Sequence, residues 1–461
     1  MNSMYLTKNF FISVIPQAQW QGPDFPEHMQ LVVDSRLVTE AHPFFFVALK
    51  GALCDGHDFI QDALKRGARG IIASSMAETS VSPDITFVTV PNVLEALIGV
   101  AKAWRAQMNI PIVGITGSVG KTTTKLLLGE ILKDAHKRAL IAQGNQNTAL
   151  GISLNIWQLR KDHEVALFEM GISRKDEMKL LADIVRPTLA IITYIGHSHN
   201  AGLGSSYDIA AEKRAIFSYF TERSIGIIQG DQPELTATAY PHPIIKFGKK
   251  TTHQVQVRKV VVHSDYITCT LKIYHEKFSL QIPTTNTAFL NCMLAACAAA
   301  HTLGIDYADM VKTVQKPLVV PGRYEKKMLP HSGCLLIHDA YNASPESMKS
   351  ALLAFEKVGA SKKIAVLGDM LELGDESGFW HRQIGRFLKK VPSLSHLILV
   401  GTQVQGIKKT APLGLSCILV PTWKEAVQVV QPLLEGKTAV LVKASRGMAL
   451  SNLVDVLEKN H

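Results

Sequence analysis

The stretch Gly117-Ser118-Val119-Gly120-Lys121-Thr122-Thr123 has the composition of a phosphate cradle. Its backbone N–H groups can point inward, Lys121 can reach terminal phosphates, and the Thr122 hydroxyl stands where Mg²⁺ is held. The spacing is not the usual one. A glycine is expected six residues before the lysine, and Ile115 stands there, with Gly114 and Gly117 on either side. Nucleotide binding is the reading that this loop supports, because an apolar run, Ile112–Ile115, precedes it and a helical pattern through Lys133 follows.

Further polar groups stand at the ends of predicted strands. Glu169 closes the apolar run that begins after Glu164, and a carboxylate there is a natural Mg²⁺ ligand beside a phosphate loop. Gly196-His197-Ser198-His199 follows another such run. Two histidines on one face would permit zinc, but no third ligand is near in sequence, so Mg²⁺ or a phosphate suits one of them better. Asn145 and Asn147 lie in an amide-rich loop before a helix. Asp34, Ser35 and Arg36 end a predicted strand and fit either a polar ligand or a solvated turn. Lys213 is expected on the polar side of an amphipathic helix, as a surface lysine.

These residues need a scaffold, and the chain has one to offer. With 461 residues, 47% apolar and 19% charged, it can form several packed domains. The first ninety residues read as a small α/β unit, with strands at Leu31–Arg36, Phe44–Leu49, Gly70–Ala73 and Thr86–Val90, and a helix from Phe59 to Arg66. A helix from Pro91 to Met108 should bury Val93, Leu94, Leu97, Ile98, Ala101 and Trp104. Strands and helices then alternate to about residue 316, as in a doubly wound, mostly parallel sheet. Pro317 to Arg323 reads as a linker and a hinge. A third, Rossmann-like α/β unit follows, with strands at Leu335–Asp339, Ile364–Leu367, Leu397–Val400 and Ala439–Val442. The expected domains are therefore 1–89, 90–316 and 317–461.

The net charge of +10 is spread over scattered Lys and Arg, so an anionic small molecule explains it better than nucleic acid. The six cysteines form no CxxC pair and read as reduced thiols. No apolar run reaches membrane-span length. A cytoplasmic protein is expected, and a monomer without membrane insertion.

In this order the pieces resemble the Mur ligase family, ATP-dependent amide ligases of peptidoglycan precursor synthesis. Thr116–Thr122 is similar to that family's variant phosphate loop. Asp339-Ala-Tyr341-Asn342-Ala-Ser-Pro-Glu-Ser-Met348 and Leu367-Gly-Asp-Met-Leu-Glu-Leu-Gly374 with His381 resemble the members that use D-alanyl-D-alanine. The resemblance implies that the substrates are UDP-N-acetylmuramoyl-tripeptide and D-alanyl-D-alanine, joined through an acyl phosphate. It implies that Lys121 holds the ATP phosphates, and that Thr122, Glu169, His199 and a carbamylated Lys213 serve two Mg²⁺ sites. Lys121, Lys213 and His199 would be the catalytic set. Asn291 would lie on the adenine side, while Arg323 and Asp339 would grip the nucleotide. Ser35 and Arg36 would bind the UDP moiety, Asn145 and Asn147 the muramoyl-peptide, and Tyr341 and Asn342 the substrate side of the third domain. The chain departs from the family pattern at Thr285-Asn-Thr-Ala288, at Thr148 and at Ala444.

Overall fold

The computed structural model describes residues 5–27, 29–37, 43–51, 54–75, 82–144, 146–197, 204–330 and 332–460. Their strands form three sheets, of five, nine and six strands. Most strands are continuous apolar runs covered on both faces, which is how parallel sheets read. The first sheet runs Gln19–Gln21, Thr86–Thr89, Gly70–Ala73, Phe44–Val47, Gln30–Val32, and only the Gln19–Gln21 edge is antiparallel. The strand expected over Leu31–Arg36 stops at Val32. Ser35–Leu37 is a 3₁₀ turn, because Asp34 accepts the Arg36 backbone N–H at 3.1 Å and draws the chain out of extension.

In the second sheet the order is Glu276–Ile282, Ile267–Ile273, Val255–Val262, Ile244–Gly248, Ile225–Gln229, Leu189–Ile192, Ile112–Thr116, Val165–Glu169, Ala139–Ile141. The parallel part matches the doubly wound reading. The far edge differs: Val255–Val262, Ile267–Ile273 and Glu276–Ile282 form an antiparallel meander. Tight turns join these strands, so no crossover helix is needed. In the third sheet the order is Glu325–Met328, Leu335–Asp339, Thr438–Lys443, Lys362–Gly368, His396–Val400, Ser416–Val420, all parallel except the first strand. Its α/β layering is the Rossmann-like arrangement expected, with two edge strands added.

One apolar cluster runs from Phe45, Val47, Ile72 and Val88 of the first sheet, through Leu97 and Trp104, to Phe168 and Ile192 of the second. Each such side chain, fully buried, contributes about 1.5–3 kcal/mol, so the first two sheets are firmly joined. The helix Val93–Ala106 provides the seam. Its Trp104 Nε1 donates to Leu159 O at 2.9 Å. Leu94, expected in the core, is 39% exposed; it lies off the stripe formed by Val93, Ala96, Leu97, Val100, Ala101 and Trp104.

The helix Ala288–Thr302 is buried along Cys292–Ala300. Its small side chains let it lie close against the helix Lys121–Asp134, which begins at the phosphate loop. Among the described residues no helix is long and apolar enough to cross a membrane.

Candidate active site

Strand register builds the site. Ile115 pairs with Glu169 and Thr116 with Ile192, so three strand ends open at one level. The chain leaving Thr116 must then turn sharply. Gly117 has φ 146° and Gly120 φ 90°, the left-handed region that glycine adopts without steric cost. At Gly117 a Cβ would sit 2.0 Å from Thr193 Oγ1, so only glycine fits. Thr193 Oγ1 and the backbone pin the loop from the neighbouring strand: the hydroxyl donates to Val119 O at 2.6 Å, and Ser118 N donates to Tyr194 O at 2.7 Å.

On this loop Lys121 Nζ donates to Gly117 O at 2.8 Å, and burial lowers its pKa. The Thr122 hydroxyl donates to Glu169 Oε2 at 2.7 Å and accepts from Arg323 Nη2 at 3.0 Å. Asn147 Nδ2 donates to Glu169 Oε1 at 3.3 Å. Thr122, Glu169 and Asn147, named from three separate stretches, thus meet at one carboxylate, with Arg323 reaching them from beyond the linker.

Lys125 is the residue that sequence reasoning missed here. It is 1% exposed, donates to Ala142 O at 2.6 Å and Gly144 O at 2.8 Å, and stands 4.0 Å from Glu169 Oε2. Its position one helical turn after Lys121, on the same face, was the available signal.

Lys213 corrects the expectation of a surface lysine. It is 1% exposed and shares the inward face of the helix Ser206–Arg214 with Ile209 and Ala210. Spacing by four places Ile209 and Lys213 on one stripe. Burial, and then the charge of nearby Lys121, push its ammonium well below the ordinary lysine range.

The third sheet supplies the opposite wall. Asp339 and Lys443 end adjacent parallel strands and pair at 2.8 Å, and Asp339 also accepts from Tyr324 N at 3.1 Å. Burial raises the Asp339 pKa against the pull of Lys443. Lys443 Nζ further donates to Asn342 O at 3.1 Å. The Tyr341 ring lies 4.1 Å from the Arg323 guanidinium and 6.0 Å from that of Arg446, which holds Arg323 toward Thr122. The two walls also touch directly. His197 Nδ1 lies 2.5 Å from Glu346 Oε1, the His197 ring stands 4.4 Å from that of Trp380, and Ser350 Oγ donates to Asn286 Oδ1 at 2.7 Å. The Glu346 carboxylate raises the His197 pKa. Glu346 was not singled out from sequence. It follows Pro345 in the first turn of a helix capped by Ser344, where a carboxylate is ordinary.

Between the walls lies a cleft of about 830 Å³. Ser118, Val119, Gly120, Lys121, Thr123, Asn147, Glu169, Asn291, Arg323, Asp339, Tyr341 and Asn342 all line it. Ser35, Arg36, Gly117, Thr122 and Lys213 are not among its lining residues. Ser35 Oγ donates to Asp62 Oδ2 at 2.7 Å, and Arg36, its side chain 80% exposed, forks onto Asp34 at 2.9 and 2.8 Å. Asn145 and His199 lie outside the described residues. His381, from the dipeptide-type motif, is fully buried and accepts from Met370 N at 3.1 Å, so it shapes a loop.

Among the described residues no group of three or more His, Cys, Asp or Glu is set to hold a metal. The Thr122 hydroxyl against the Glu169 carboxylate is a hard-oxygen pair of the kind that holds Mg²⁺ together with phosphate oxygens. Four of the six cysteines are buried, Cys54 is exposed and Cys417 is intermediate.

A phosphate loop on a parallel sheet, facing a second α/β wall across a cleft, defines a nucleotide-dependent group-transfer fold. Models of the Mur ligase middle domain and of the Mur ligase glutamate ligase domain match residues 115–300 and 322–446. The UDP-N-acetylmuramoyl-tripeptide–D-alanyl-D-alanine ligase of Bacillus subtilis (strain 168) is 32% identical over 443 residues, covering 94% of this chain and 95% of that one. The enzyme of the same name from Escherichia coli (strain K12) is 27% identical, covering 93% and 94%. Among solved structures, MurF from Acinetobacter baumannii superposes with a TM-score of 0.85 at 26% identity, covering 99% of this chain and 100% of that one. MurF ligase from Thermotoga maritima in complex with ADP gives 0.79 at 26%, covering 94% and 97%. The chain belongs to the Mur ligase family.

Proposed function

We propose that this protein is an ATP-dependent peptide ligase that joins D-alanyl-D-alanine to UDP-N-acetylmuramoyl-tripeptide, giving the pentapeptide precursor, ADP and phosphate. The observation that carries the reading is the meeting of Thr122, Glu169 and Arg323, which joins a phosphate loop to a cation from the opposite wall. A switch or transport ATPase has no need of a cleft that also admits a carboxylate and an amine.

A carboxylate acylates poorly, so the tripeptide carboxylate first attacks the γ-phosphorus of ATP. Lys121 and Arg323 neutralise the phosphoryl oxygens as charge redistributes. Thr122 and Glu169 would hold Mg²⁺, which would supply further positive charge there, and the family resemblance assigns His199 to a second metal. Asn291 lies on the adenine side, and Asp339 helps hold the nucleotide. By the family resemblance Asn145 and Asn147 would bind the muramoyl-peptide, Ser35 and Arg36 the UDP moiety, and Tyr341 and Asn342 the substrate side of the third domain. An acyl phosphate hydrolyses in open water, so the site must be covered. The contacts His197–Glu346 and Asn286–Ser350 hold that cover in place. The linker Pro317–Pro321 is the hinge, between domains at 90–316 and 317–461, with the first domain at 1–89. The protein acts as a cytoplasmic monomer, where ATP and its water-soluble substrates are found.

Phosphate release is expected only when ATP, UDP-muramoyl-tripeptide and D-alanyl-D-alanine are all present. Hydrolysis indifferent to both peptides, or stimulated by nucleic acid, would overturn the reading.

Lys213 is best suited as a carbamate. Burial disfavours the Lys213 ammonium, and its neutral amine would add CO₂ with loss of a proton, giving an anion that would complement Mg²⁺. Lys213→Ala should lose most of its turnover, and added acetate or formate should restore part of it by filling the space left. Absence of rescue across a concentration series would count against the carbamate.

A further inference from the structure

The strand Thr438–Lys443 of the third sheet delivers Arg446 to the cleft. Ser445 fixes the approach. Its N–H donates to Asp369 O at 3.2 Å, and its hydroxyl accepts from Leu371 N at 2.9 Å and donates to Ala343 O at 3.4 Å. Asp369 and Leu371 follow one neighbouring strand, Lys362–Gly368, and Ala343 follows the other, Leu335–Asp339. The residue before Arg446 is thus clamped from both sides, at the carboxyl end of a parallel sheet, where ligands bind. Arg446 opens a single 3₁₀ turn, Arg446–Met448, and is exposed. Among the described residues no carboxylate or carbonyl takes up its guanidinium, whose contact is the Tyr341 ring at 6.0 Å.

Other cations line the cleft, and they are committed or differently placed. Lys121 and Arg323 serve the phosphates. Lys443 pairs with Asp339 at 2.8 Å and Lys316 with Asp134 at 2.6 Å. Lys249 and Lys326 also line it, but neither stands at the end of a parallel strand of the third sheet. A lysine also offers one point of charge, whereas the planar fork of arginine meets both oxygens of a carboxylate.

Distance supports the same choice. Arg323 donates to the Thr122 hydroxyl at 3.0 Å, where the ligase reading puts the transferred phosphoryl group. The Tyr341 ring is 4.1 Å from the Arg323 guanidinium and 6.0 Å from that of Arg446, so the two guanidiniums are no farther apart than these lengths laid end to end. An extended dipeptide spans about 7 Å. With its amine at the acyl phosphate beside Arg323, its other end comes within reach of Arg446. That end is an α-carboxylate, with a pKa of about 3.5, and is ionised at neutral pH.

We infer that Arg446 binds the terminal carboxylate of the incoming dipeptide, and so selects a second substrate that ends in a free carboxylate; this rests on the ligase reading. Tyr341, within cation–π range of both guanidiniums, ties the two ends of that subsite together.

The test compares D-alanyl-D-alanine with D-alanyl-D-alaninamide, whose terminus is uncharged, using the full chain unmodified and as Arg446→Met and Arg446→Lys. Phosphate release is measured with each dipeptide. Hydroxylamine, added in place of the dipeptide, traps the acyl phosphate as a hydroxamate. The unmodified protein should favour the acid over the amide by roughly 10²-fold in kcat/KM. R446M should lose about that factor for the acid and change little for the amide, with its hydroxamate yield and its KM for ATP and UDP-muramoyl-tripeptide unchanged. R446K should recover part of the loss. An unmodified protein that uses acid and amide alike, while still forming hydroxamate, would overturn the assignment and leave the ligase reading standing. An R446M enzyme that loses acid and amide equally would overturn it too, by showing that the arginine serves the wall and not the carboxylate. If the unmodified protein forms neither hydroxamate nor phosphate, the ligase reading itself fails, and the assignment falls with it.

Discussion

Lys121→Ala is expected to lower turnover by roughly 10²–10³-fold without lowering the melting temperature. Lys121 has a glycine carbonyl, Gly117 O at 2.8 Å, as its hydrogen-bond acceptor. Burial disfavours its charged form, with only partial relief from Glu169 and Glu372 and with Arg323 opposing. The cation is therefore held at a cost to the fold, and becomes useful only when phosphate oxygens arrive. Removing it should leave stability unchanged or slightly raised. Thermal unfolding and steady-state phosphate release on the same preparation check both halves. A large fall in melting temperature would show that Lys121 is a structural lysine.

Asp339→Ala, at the other wall, should cost stability as well, about 3–5 kcal/mol. Asp339 and Lys443 form a buried pair at 2.8 Å, and Lys443 is 1% exposed. Truncating Asp339 strands that ammonium and removes the acceptor of Tyr324 N. Lys443→Met together with Asp339→Ala should recover much of the loss, because the charge left behind, more than the missing attraction, makes the single change costly. Urea unfolding of the two single variants and the double variant measures this. Equal losses from the double variant and the sum of the singles would mean that the two residues act independently.

The two expectations differ for a reason visible in the topology. Lys121 stands at a helix start above strand ends, aimed at space that a ligand fills. Asp339 and Lys443 are the last residues of neighbouring parallel strands, so their partners are built into the sheet. Sequence reading found Lys121 through its glycine context and Asp339 through its strand-end position. It did not single out Lys443, because nothing local says that two strands far apart in sequence are neighbours.

Local pattern alone determined a good deal. Ile112–Thr123 had to be a strand, a glycine turn and a helix, since an apolar run, residues tolerant of positive φ and a helical pattern follow in that order. Glu169 had to stand at a strand end, and Pro317–Arg323 had to be a connection. Three α/β units and a nucleotide site were legible on those terms, and the ligase chemistry came only from the resemblance of whole motifs to the Mur ligase family. The tertiary structure decided the matters that depend on which elements become neighbours. Lys213 reads as a surface residue in its own helix, yet it is buried because it shares that helix's inward face with Ile209 and Ala210. Lys125 carries no motif and becomes the inner brace of the Asn147 loop through Ala142 O and Gly144 O. Glu346 is an unremarkable first-turn carboxylate until His197 meets it from the other wall. A side chain's spacing sets which others share its face, and only the packed sheets set what that face looks onto.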